Sequence, residues 1–221
     1  MTPLEILRDR LEIKAVADPL FGENCYLVRR RDTNSAVIID PGLQVDDVVR
    51  EVERERLTVV HILLSHGHID HVAGVPQLQL RTGAPVAMHP DDRAILDWSR
   101  FAQMPFLPHG FQPFELQTEL HDASIVGFED LELRVLHTPG HSQGSVCFLF
   151  GLDCFAGDTL FQRSIGRTDL PGGDSRKIVT SIRSVLYALP LRTVVHPGHG
   201  PATTIEEERM LNPFVPATPA G

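Results

Sequence analysis

Residues 65–71 place four possible metal ligands within a very short stretch of chain. The sequence Ser-His-Gly-His-Ile-Asp-His supplies His66, His68, Asp70 and His71. Imidazole and carboxylate groups suit zinc, iron or manganese rather than copper(I) or an iron–sulfur cluster. A polar loop that happens to contain histidines would account for one isolated histidine, but it is a poor account of four ligands at this density. We therefore predict a metal site here.

An apolar run at residues 59–64 precedes this segment and predicts a short buried strand. Side chains two residues apart point the same way in an extended chain, so His66 and His68 should face one side. Asp70 and His71 should follow as the chain turns.

Three more possible ligands come directly after strand-like runs. His141 follows a Thr-Pro-Gly turn, Gly157-Asp158 ends the run 154–156, and His199 follows the last predicted strand, residues 193–195. Ligands on loops at one end of a rigid sheet are the usual way to build a metal site. The four segments together therefore predict one site.

The remaining periodicities predict helices between the strands. Val45, Val48, Val49 and Val52 recur at helical spacing, with charged residues on the opposite face. Further helices are predicted at about 72–81, at 90–98, at 175–189 with Asp174 or Ser175 as the cap, and just after the Thr203-Thr204 pair, which offers a capping box. Because strand runs such as 24–30 and 36–40 come in hairpin pairs with helices between them, the pattern predicts an α/β sandwich.

Composition predicts one well-buried domain, residues 1–221, because 42% of the residues are hydrophobic and 22% are charged. The net charge of -9 argues against a nucleic-acid partner, since phosphate binding needs a basic surface. The first ten residues are charged throughout and show no apolar signal segment, and no apolar run reaches the roughly 18–20 residues of a membrane span. We therefore expect a cytoplasmic protein with no membrane partner.

Two smaller features concern the cysteines and the C-terminus. Cys25, Cys147 and Cys154 lie in strand-like runs and are predicted to be small buried hydrophobes in a reducing cell. The tail from about Asn212 contains three prolines, so we expect it to be frayed and flexible.

Residues 100–114 break the pattern, with four phenylalanines and a methionine among three prolines. One interpretation is a loop packed on its own aromatic side chains. The other is a mobile lid or substrate wall beside the active site. The sequence supports both equally.

The ligand pattern resembles that of the metallo-β-lactamase superfamily. The matching residues are His66-x-His68-x-Asp70-His71, His141, Asp158 and His199. Within that superfamily, residues 157–161 and 164–174, which include Gly-Arg-Thr-Asp-Leu-Pro-Gly-Gly-Asp, resemble the short bacterial glyoxalase II-like hydrolases. The resemblance extends from about residue 24 to 213. It implies an αββα sandwich with a metal site at one edge of the sandwich.

The resemblance also implies two divalent metal ions. Zinc is the expected metal, with iron or manganese as alternatives. His66, His68 and His141 would hold the first ion, and Asp70, His71 and His199 the second. Asp158 would bridge both ions, with a water or hydroxide as the second bridge. Asp70 and Asp158 are accordingly assigned as the catalytic residues, since they hold the ions that supply the hydroxide nucleophile.

The implied activity is hydrolysis of a small-molecule thioester linked to glutathione, with S-lactoylglutathione as the expected substrate. The larger glyoxalase II enzymes carry a helical C-terminal domain that helps bind glutathione, whereas only 22 residues follow His199 here. Recognition of glutathione would then come from loops such as 100–114 and 163–174.

Other activities remain open on the same residues. A mononuclear iron persulfide dioxygenase acting on glutathione persulfide shares the Gly-Arg-Thr-Asp run at 166–169 and the ending at 207–213. Its iron is bound by two histidines and an aspartate, which would leave His71 and His199 without a ligand role. An esterase or lactonase of the same fold is a further alternative. A non-catalytic metal module is disfavoured, because structural zinc sites are closed by four ligands.

Three residues outside the ligand set are candidates for supporting roles. The resemblance puts Asp40 beneath the metal-binding loop, where it could orient a ligand. Arg167 and Asp169 could form an ion pair within their loop, or Arg167 could line the substrate entrance and bind a carboxylate. His137 and His196 flank ligand turns, which is a weak signal for either a supporting or a purely structural role.

Overall fold

Two six-stranded sheets organise the chain in the computed structural model, which describes residues 10–101, 103–107 and 112–216, excluding the side chain of Arg100. The chain divides into an N-terminal unit, Asp9–Leu120, and a C-terminal unit from His121 onward. Each unit contains one of the sheets together with helices. The predicted α/β class is therefore confirmed.

The N-terminal sheet has the strand order β1-β2-β3-β4-β5-β6. The strands are Leu11–Ala17 (β1), Asn24–Arg30 (β2), Ser35–Ile39 (β3), Thr58–Leu63 (β4), Val86–Met88 (β5) and Thr118–Glu119 (β6). The first three strands pair antiparallel, and β3 to β6 pair parallel. The sequence pattern does not predict β1, because Leu11 is the only fully buried residue in this edge strand.

The helices of this unit are Val45–Arg54 (α1), Ile69–Val72 (α2), Val75–Thr82 (α3) and Trp98–Phe101 (α4), with a 3₁₀ turn at Pro90–Ile95. Helix α1 buries the four valines whose spacing predicts it. The helix predicted at 72–81 is instead two helices, because the chain restarts at Val75 with Pro76 in its first turn. The helix predicted at 90–98 is also wrong, since the 3₁₀ turn ends before α4 begins.

The C-terminal sheet has the order β14-β13-β10-β9-β8-β7. Its strands are Ile125–Phe128 (β7), Leu131–His137 (β8), Val146–Phe150 (β9), Asp153–Gly157 (β10), Val194–Pro197 (β13) and Thr203–Thr204 (β14), and Leu160–Phe161 (β11) pairs separately with Ser164–Ile165 (β12). Strands β10 and β13 are parallel, and the other pairs are antiparallel.

Two helices follow the strands of this unit, Ser175–Ser184 (α5) and Ile205–Leu211 (α6), with a 3₁₀ turn at Leu186–Ala188. Asp174 caps α5 by accepting hydrogen bonds from the backbone N–H groups of Arg176 and Lys177. Thr204 caps α6 in the same way. Both caps agree with the sequence prediction.

Each unit has its own apolar core. In the N-terminal unit, residues such as Val48, Ile62 and Leu78 are fully buried, and α3 contacts both α1 and β4. In the C-terminal unit, Ile178 and Ile182 of α5 are buried in one cluster with residues of β9, β10 and β13. These cores hold the strand ends in fixed positions.

Packing continues at the C-terminus beyond the point where fraying is expected. The side chain of Asn212 is buried, and the Tyr187 hydroxyl donates to the carbonyl oxygen of Val215 at 2.9 Å. Residues 217–221 of the predicted flexible tail lie outside the described residues.

The three cysteines are buried and free, as predicted. In the segment 100–114, Phe101 and Phe114 pack edge-on against Trp98, as the packed-loop interpretation expects, while residues 102 and 108–111 lie outside the described part. No helix among the described residues has the length and apolarity needed to span a bilayer.

Candidate metal centre

In the N-terminal unit, parallel strands deliver the candidate residues to one edge of the sheet. Asp40 follows β3, and residues 64–68 follow β4, which is parallel to β3. Because the carboxyl ends of parallel strands meet at the same edge, Asp40 comes to lie beside the histidine-rich loop. The backbone N–H of Asp40 donates to the Leu63 carbonyl oxygen at 2.9 Å, which fixes this edge.

Asp40 binds the start of that loop through both carboxylate oxygens. Its Oδ1 accepts from the backbone N–H of Ser65 at 2.7 Å, and its Oδ2 accepts from the Ser65 hydroxyl at 2.6 Å. The same Oδ2 lies 3.1 Å from Nδ1 of His71. Asp40 has a positive φ of 51°, a conformation that a non-glycine residue adopts only where the surroundings impose it.

These contacts determine which nitrogen each buried histidine can offer to a metal ion. The single hydroxyl proton of Ser65 goes to Asp40, so the hydroxyl oxygen accepts from Nδ1 of His66 at 2.9 Å. Asp40 accepts from Nδ1 of His71. Both Nε2 atoms then carry a lone pair, which is the form that a metal ligand needs.

The four donors of residues 66–71 lie close together. The rings of His66 and His68 have centroids 4.8 Å apart, and those of His66 and His71 are 4.1 Å apart. Oδ2 of Asp70 lies 3.8 Å from Nε2 of His71. His66 and His71 are fully buried, whereas His68 and Asp70 are partly exposed. Asp40, His66 and His71 also offer donor atoms within 4.8 Å of one another.

Two further buried carboxylates support this loop, and neither is apparent from the sequence. Asp92 accepts from the backbone N–H of Gly67 at 3.0 Å, and Glu23 lies 4.0 Å from Nδ1 of His71. Burial raises the pKa of the Cys25 thiol well above its usual value, and the negative charges of Glu23 and Asp40 raise it further. The loop therefore lies over a buried negative region, which favours a bound cation. Acidic residues in the first turn of a helix, such as Asp92, are too common to be identified from sequence as supports of a metal site.

In the C-terminal unit, three strands that run in the same direction carry the other candidates. Strands β8 and β10 both pair antiparallel with β9, and β13 is parallel to β10. Their carboxyl ends therefore meet at one edge of this sheet. His141 follows β8, Asp158 follows β10 and His199 follows β13.

Asp158 lies between the two histidines of this unit. Its Oδ2 is 3.5 Å from Nε2 of His141 and 3.6 Å from Nε2 of His199. Nδ1 of His141 lies 2.8 Å from the carbonyl oxygen of Arg167, which can only accept, so His141 donates from Nδ1 and keeps a lone pair on Nε2. A carboxylate oxygen equally close to two imidazole nitrogens fits a ligand shared by two cations.

The side chain of Arg167 forms a two-pronged ion pair with Asp169. Nε and Nη2 of Arg167 each lie 2.8 Å from a different oxygen of Asp169, and both side chains are exposed. The hydrogen bond from Arg167 lowers the pKa of Asp169 to about 2, and Asp169 in turn raises the pKa of Arg167. The ion pair between Arg167 and Asp169, one of the two interpretations that the sequence supports, is therefore present.

The two flanking histidines have other contacts. Nε2 of His196 lies 2.8 Å from the buried carboxylate of Asp153, and its ring stacks on Phe155. Nε2 of His137 lies 2.9 Å from the carbonyl oxygen of Gln143. These contacts fit structural roles within the C-terminal sheet.

The donor set of each unit fits divalent metal ions. Neutral imidazoles with Nδ1 engaged by the protein, together with carboxylates, are the usual ligands of zinc and non-haem iron. The chain therefore carries His/Asp clusters suited to a divalent metal. The buried negative charge and the hydrogen bonds to Nδ1 would both strengthen metal binding.

Sequence comparison places this donor pattern in a known family. The sequence model of the metallo-beta-lactamase superfamily matches residues 18–199. An uncharacterised protein of Mycobacterium leprae is 40% identical over 202 residues, covering 87% of this chain and 93% of that protein. The hydroxyacylglutathione hydrolase GloC of Haemophilus influenzae is 33% identical over 211 residues, covering 93% and 98% of the two chains.

Solved structures give the same result for the fold. The BLEG-1 B3 metallo-beta-lactamase matches with a TM-score of 0.84 and 35% identity, covering 92% of this chain and 99% of that one. A protein called TTHA1623, in a di-iron-bound form, matches with a TM-score of 0.79 and 36% identity over 91% and 99% of the two chains. ETHE1 from Myxococcus xanthus matches with a TM-score of 0.78 and 31% identity over 92% and 84%.

Proposed function

Because this chain belongs to the metallo-β-lactamase superfamily, we propose that it is a metal-dependent thioester hydrolase that binds two divalent ions. The proposed ligands of the first ion are His66, His68 and His141, and those of the second are Asp70, His71 and His199, with Asp158 shared between them. The observation that carries the two-ion proposal is the position of Asp158 Oδ2, about equally far from Nε2 of His141 and of His199. Membership of the superfamily itself supports a metal-binding hydrolase.

The chemistry of this donor set suits hydrolysis. When bound, divalent ions supply a hydroxide at neutral pH and stabilise negative charge that develops on a carbonyl oxygen. The protein contributes orientation, since hydrogen bonds to Nδ1 hold the rings of His66, His71 and His141 with Nε2 available. A thiolate is a good leaving group, so cleavage of a thioester by water to an acid and a thiol needs little help from a general acid.

The proposed substrate is a glutathione thioester, with S-lactoylglutathione first. Two observations support it: the relative GloC carries the name hydroxyacylglutathione hydrolase, and residues 164–174 resemble the corresponding segment of the glyoxalase II-like hydrolases. Zinc is the proposed metal, and the di-iron form of TTHA1623 supports iron as the alternative occupant.

We further propose that Arg167 binds a carboxylate of the substrate. Asp169 engages the Nε and Nη2 side of the guanidinium, which leaves the Nη1 side facing away from Asp169. Arg167 is exposed, and its own backbone carbonyl oxygen lies 2.8 Å from Nδ1 of His141, so its side chain starts from the residue whose backbone contacts a proposed ligand. Glutathione carries two carboxylates, and a guanidinium binds carboxylates well.

The decisive experiment measures turnover of S-lactoylglutathione by the purified chain together with its metal content. We expect thiol release and two metal ions per chain. One iron ion per chain, with oxygen uptake on glutathione persulfide and no thioester cleavage, would contradict the proposal and favour the persulfide dioxygenase. Cleavage of esters or lactones in preference to thioesters would instead favour the third alternative.

A further inference from the structure

The segment that follows Asp158 contacts both histidines of the C-terminal unit. The ring of Phe161 meets the ring of His199 edge-on, with centroids 6.0 Å apart. The carbonyl oxygen of Arg167 lies 2.8 Å from Nδ1 of His141. Between them, a Cβ on Gly166 would overlap the carbonyl oxygen of Asp158 and come within 3.1 Å of His141 Nδ1, so the backbone passes directly against these residues.

This segment is a hairpin that has little stability of its own. Strands β11 and β12 contain two residues each and are joined by only Gln162 and Arg163. Arg163 has a positive φ of 55°, which is unfavourable for a residue other than glycine. An isolated two-stranded hairpin is at best marginally stable in water. Contacts from elsewhere in the unit must therefore hold it in place.

A buried carboxylate from α6 supplies the strongest of these contacts. Glu208 is fully buried, and its Oε2 accepts from the backbone N–H of Arg163 at 2.8 Å. The same oxygen accepts from the side-chain amide of Asn212 at 2.8 Å, while Oε1 accepts from the hydroxyl of Thr203 at 2.7 Å. The Asn212 amide also donates to the carbonyl oxygen of Ser164 at 3.0 Å.

Glu208 and Asn212 thus bind the turn of the hairpin from both sides. One accepts from the residue with the unfavourable φ, and the other donates to the next residue along the chain. Hydrogen bonds to a buried carboxylate are stronger than those between neutral groups, so this pair is well suited to fix the turn. Neither residue contacts a proposed metal ligand directly in the hydrogen bonds described.

We propose that Glu208 and Asn212 are positioning residues for the metal centre, acting through the β11–β12 hairpin on His141 and His199. The inference rests on the proposed metal ligands but not on the proposed substrate. A side chain that orients a ligand from outside the coordination sphere typically changes metal affinity by about 10- to 100-fold when it is removed.

The test measures binding of Co²⁺ to the metal-free full-length chain, by chelator competition and by the visible absorption spectrum of the bound ion. Glu208→Ala is expected to weaken binding by about 10-fold or more and to shift the spectrum, because His141 and His199 lose their fixed orientation. Glu208→Gln is expected to restore affinity and spectrum, since its carbonyl oxygen can still accept from Arg163 while its amide faces Thr203. Should Glu208→Ala not fold, Asn212→Asp removes the donor to Ser164 at the same size and should give the same two changes.

Tyr187→Phe is the matched control for loss of stability alone. The Tyr187 hydroxyl donates to the carbonyl oxygens of Glu208 and Val215, so this variant weakens the same helix and tail without removing a bond to the hairpin. It should lower the melting temperature and leave the Co²⁺ affinity and spectrum unchanged. If Tyr187→Phe weakens Co²⁺ binding as much as Glu208→Ala does at equal loss of stability, or if neither hairpin variant changes binding, the proposal is overturned. A wild-type chain that binds no Co²⁺ would overturn the proposed metal centre as well.

Discussion

At the buried histidines, hydrogen bonds to Nδ1 leave Nε2 as the atom that can bind a metal ion. Ser65 accepts from His66, Asp40 accepts from His71, and the carbonyl oxygen of Arg167 accepts from His141. A neutral histidine in solution exchanges between two tautomers. A hydrogen bond that fixes one tautomer therefore removes the free-energy cost of selecting it when metal binds.

The first prediction is that Asp40→Asn weakens metal binding by about 10- to 100-fold, the usual loss when a partner of a ligand histidine is removed. Asparagine offers one acceptor oxygen where Asp40 uses two, so Ser65 or His71 loses its acceptor. A His71 ring without that acceptor can place its proton on Nε2, which blocks the ligand atom. Chelator competition with Zn²⁺ measures the change.

Asp18→Asn is the control for Asp40→Asn. Asp18 is also a buried aspartate that accepts two backbone N–H bonds, from Leu20 and Phe21, but with a single oxygen that asparagine can replace. Its Zn²⁺ affinity should match that of the unmodified chain. If Asp40→Asn and the unmodified chain bind Zn²⁺ with equal affinity, Asp40 does not orient a metal ligand.

The second prediction is that Asp158→Ala abolishes thioester hydrolysis and lowers the number of metal ions bound per chain. A shared ligand matters to both ions, so we expect metal affinity to fall by more than about 100-fold, beyond the range for residues outside the coordination sphere. Elemental analysis and a thiol-release assay measure the two effects. Asp122→Ala, at an exposed aspartate of the same unit, should change neither, and unchanged turnover in Asp158→Ala would refute the bridging role.

The third prediction is that Arg167→Lys raises the KM for S-lactoylglutathione by about 10- to 100-fold with little effect on kcat, as the loss of a charged hydrogen bond of about 1.5–3 kcal/mol implies. Lysine keeps the charge but not the planar pair of donors. Arg134→Ala, at an exposed arginine of β8, is the control for general charge and should leave KM unchanged. If Arg167→Lys loses thermal stability but keeps KM, the pair with Asp169 is purely structural.

The Arg167–Asp169 pair can stabilise the folded state only within a defined pH range. The pKa of Asp169 is lowered to about 2 by the hydrogen bond from Arg167, so the folded state holds this proton more weakly than the unfolded chain does. Any stabilisation by the pair is therefore complete above the ordinary aspartate range near pH 4 and is lost as the pH falls toward 2. The pair should add no inflection to a pH–rate profile between pH 5 and 9.

At the scale of elements, the turns after the strands decide where the proposed ligands lie. The turn before His141 packs directly on α5: Gly140 has a φ of 143°, and its carbonyl oxygen accepts from the backbone N–H of Asp174 at 2.8 Å. The hydroxyl of Ser181, within α5, donates to the carbonyl oxygen of Pro139 at 2.8 Å. Helix α5 and its cap thereby fix the position of the turn that precedes His141.

The fourth prediction is that Gly140→Ala lowers the free energy of unfolding by about 2–4 kcal/mol. A Cβ at this position would overlap the backbone of Ile178, and overpacking and a positive φ each cost about 1–3 kcal/mol. Urea denaturation monitored by circular dichroism measures the loss. Gly127→Ala is the control, because a Cβ there meets no atom within 4 Å, and it should be nearly neutral. Equal stability of the two variants would show that the turn can move away from α5.

Helices and strands could be predicted where residues close together in the sequence determine them. Helix α1 and the caps of α5 and α6 are predicted correctly because valine spacing, Asp174 and Thr204 act within one turn of chain. Strand β1 is missed because its pairing with β2 lies on a sheet edge and leaves no alternation of buried side chains. Residues 125–137 form the hairpin of β7 and β8, and its turn at Glu129, with a φ of 59°, contains no glycine or proline that would mark it in the sequence apart from Gly127 within β7.

At the scale of the whole molecule, the proposed metal ions would bind the folded chain and not the unfolded one, so metal binding should stabilise the chain against unfolding. The fifth prediction is that removing metal with a chelator lowers the Tm. Free metal at about 100 times its Kd adds about 2.7 kcal/mol per ion. In a chain of this size, that corresponds to roughly 5–10 °C in Tm.

Scanning calorimetry with stepwise addition of Zn²⁺ measures this effect. We expect recovery of the Tm to be complete at two equivalents, and Mg²⁺ at the same concentration is the control, because it prefers oxygen ligands and keeps its waters. Recovery that is complete at one equivalent of iron, with none from Zn²⁺, would instead fit a mononuclear iron centre.

The sequence alone determined the types of donor and their places after strands, because ligand chemistry and strand endings are written in short stretches such as residues 65–71. It also determined the family, since the pattern spans residues 18–199. Only the tertiary structure decided which nitrogen of His66, His71 and His141 is available. That choice depends on Asp40 and Arg167, which lie 25 or more residues away along the chain.

The residues that support the proposed ligands likewise become apparent only in the tertiary structure. Asp92 and Glu208 are ordinary acidic residues by sequence, and only folding brings them against the backbone N–H groups of Gly67 and Arg163. A carboxylate becomes a positioning group when it is buried and its hydrogen-bond partners are fixed, and burial is a property of the packed chain. Sequence therefore indicates the proposed ligands, whereas the residues that would hold them in place become visible only in the fold.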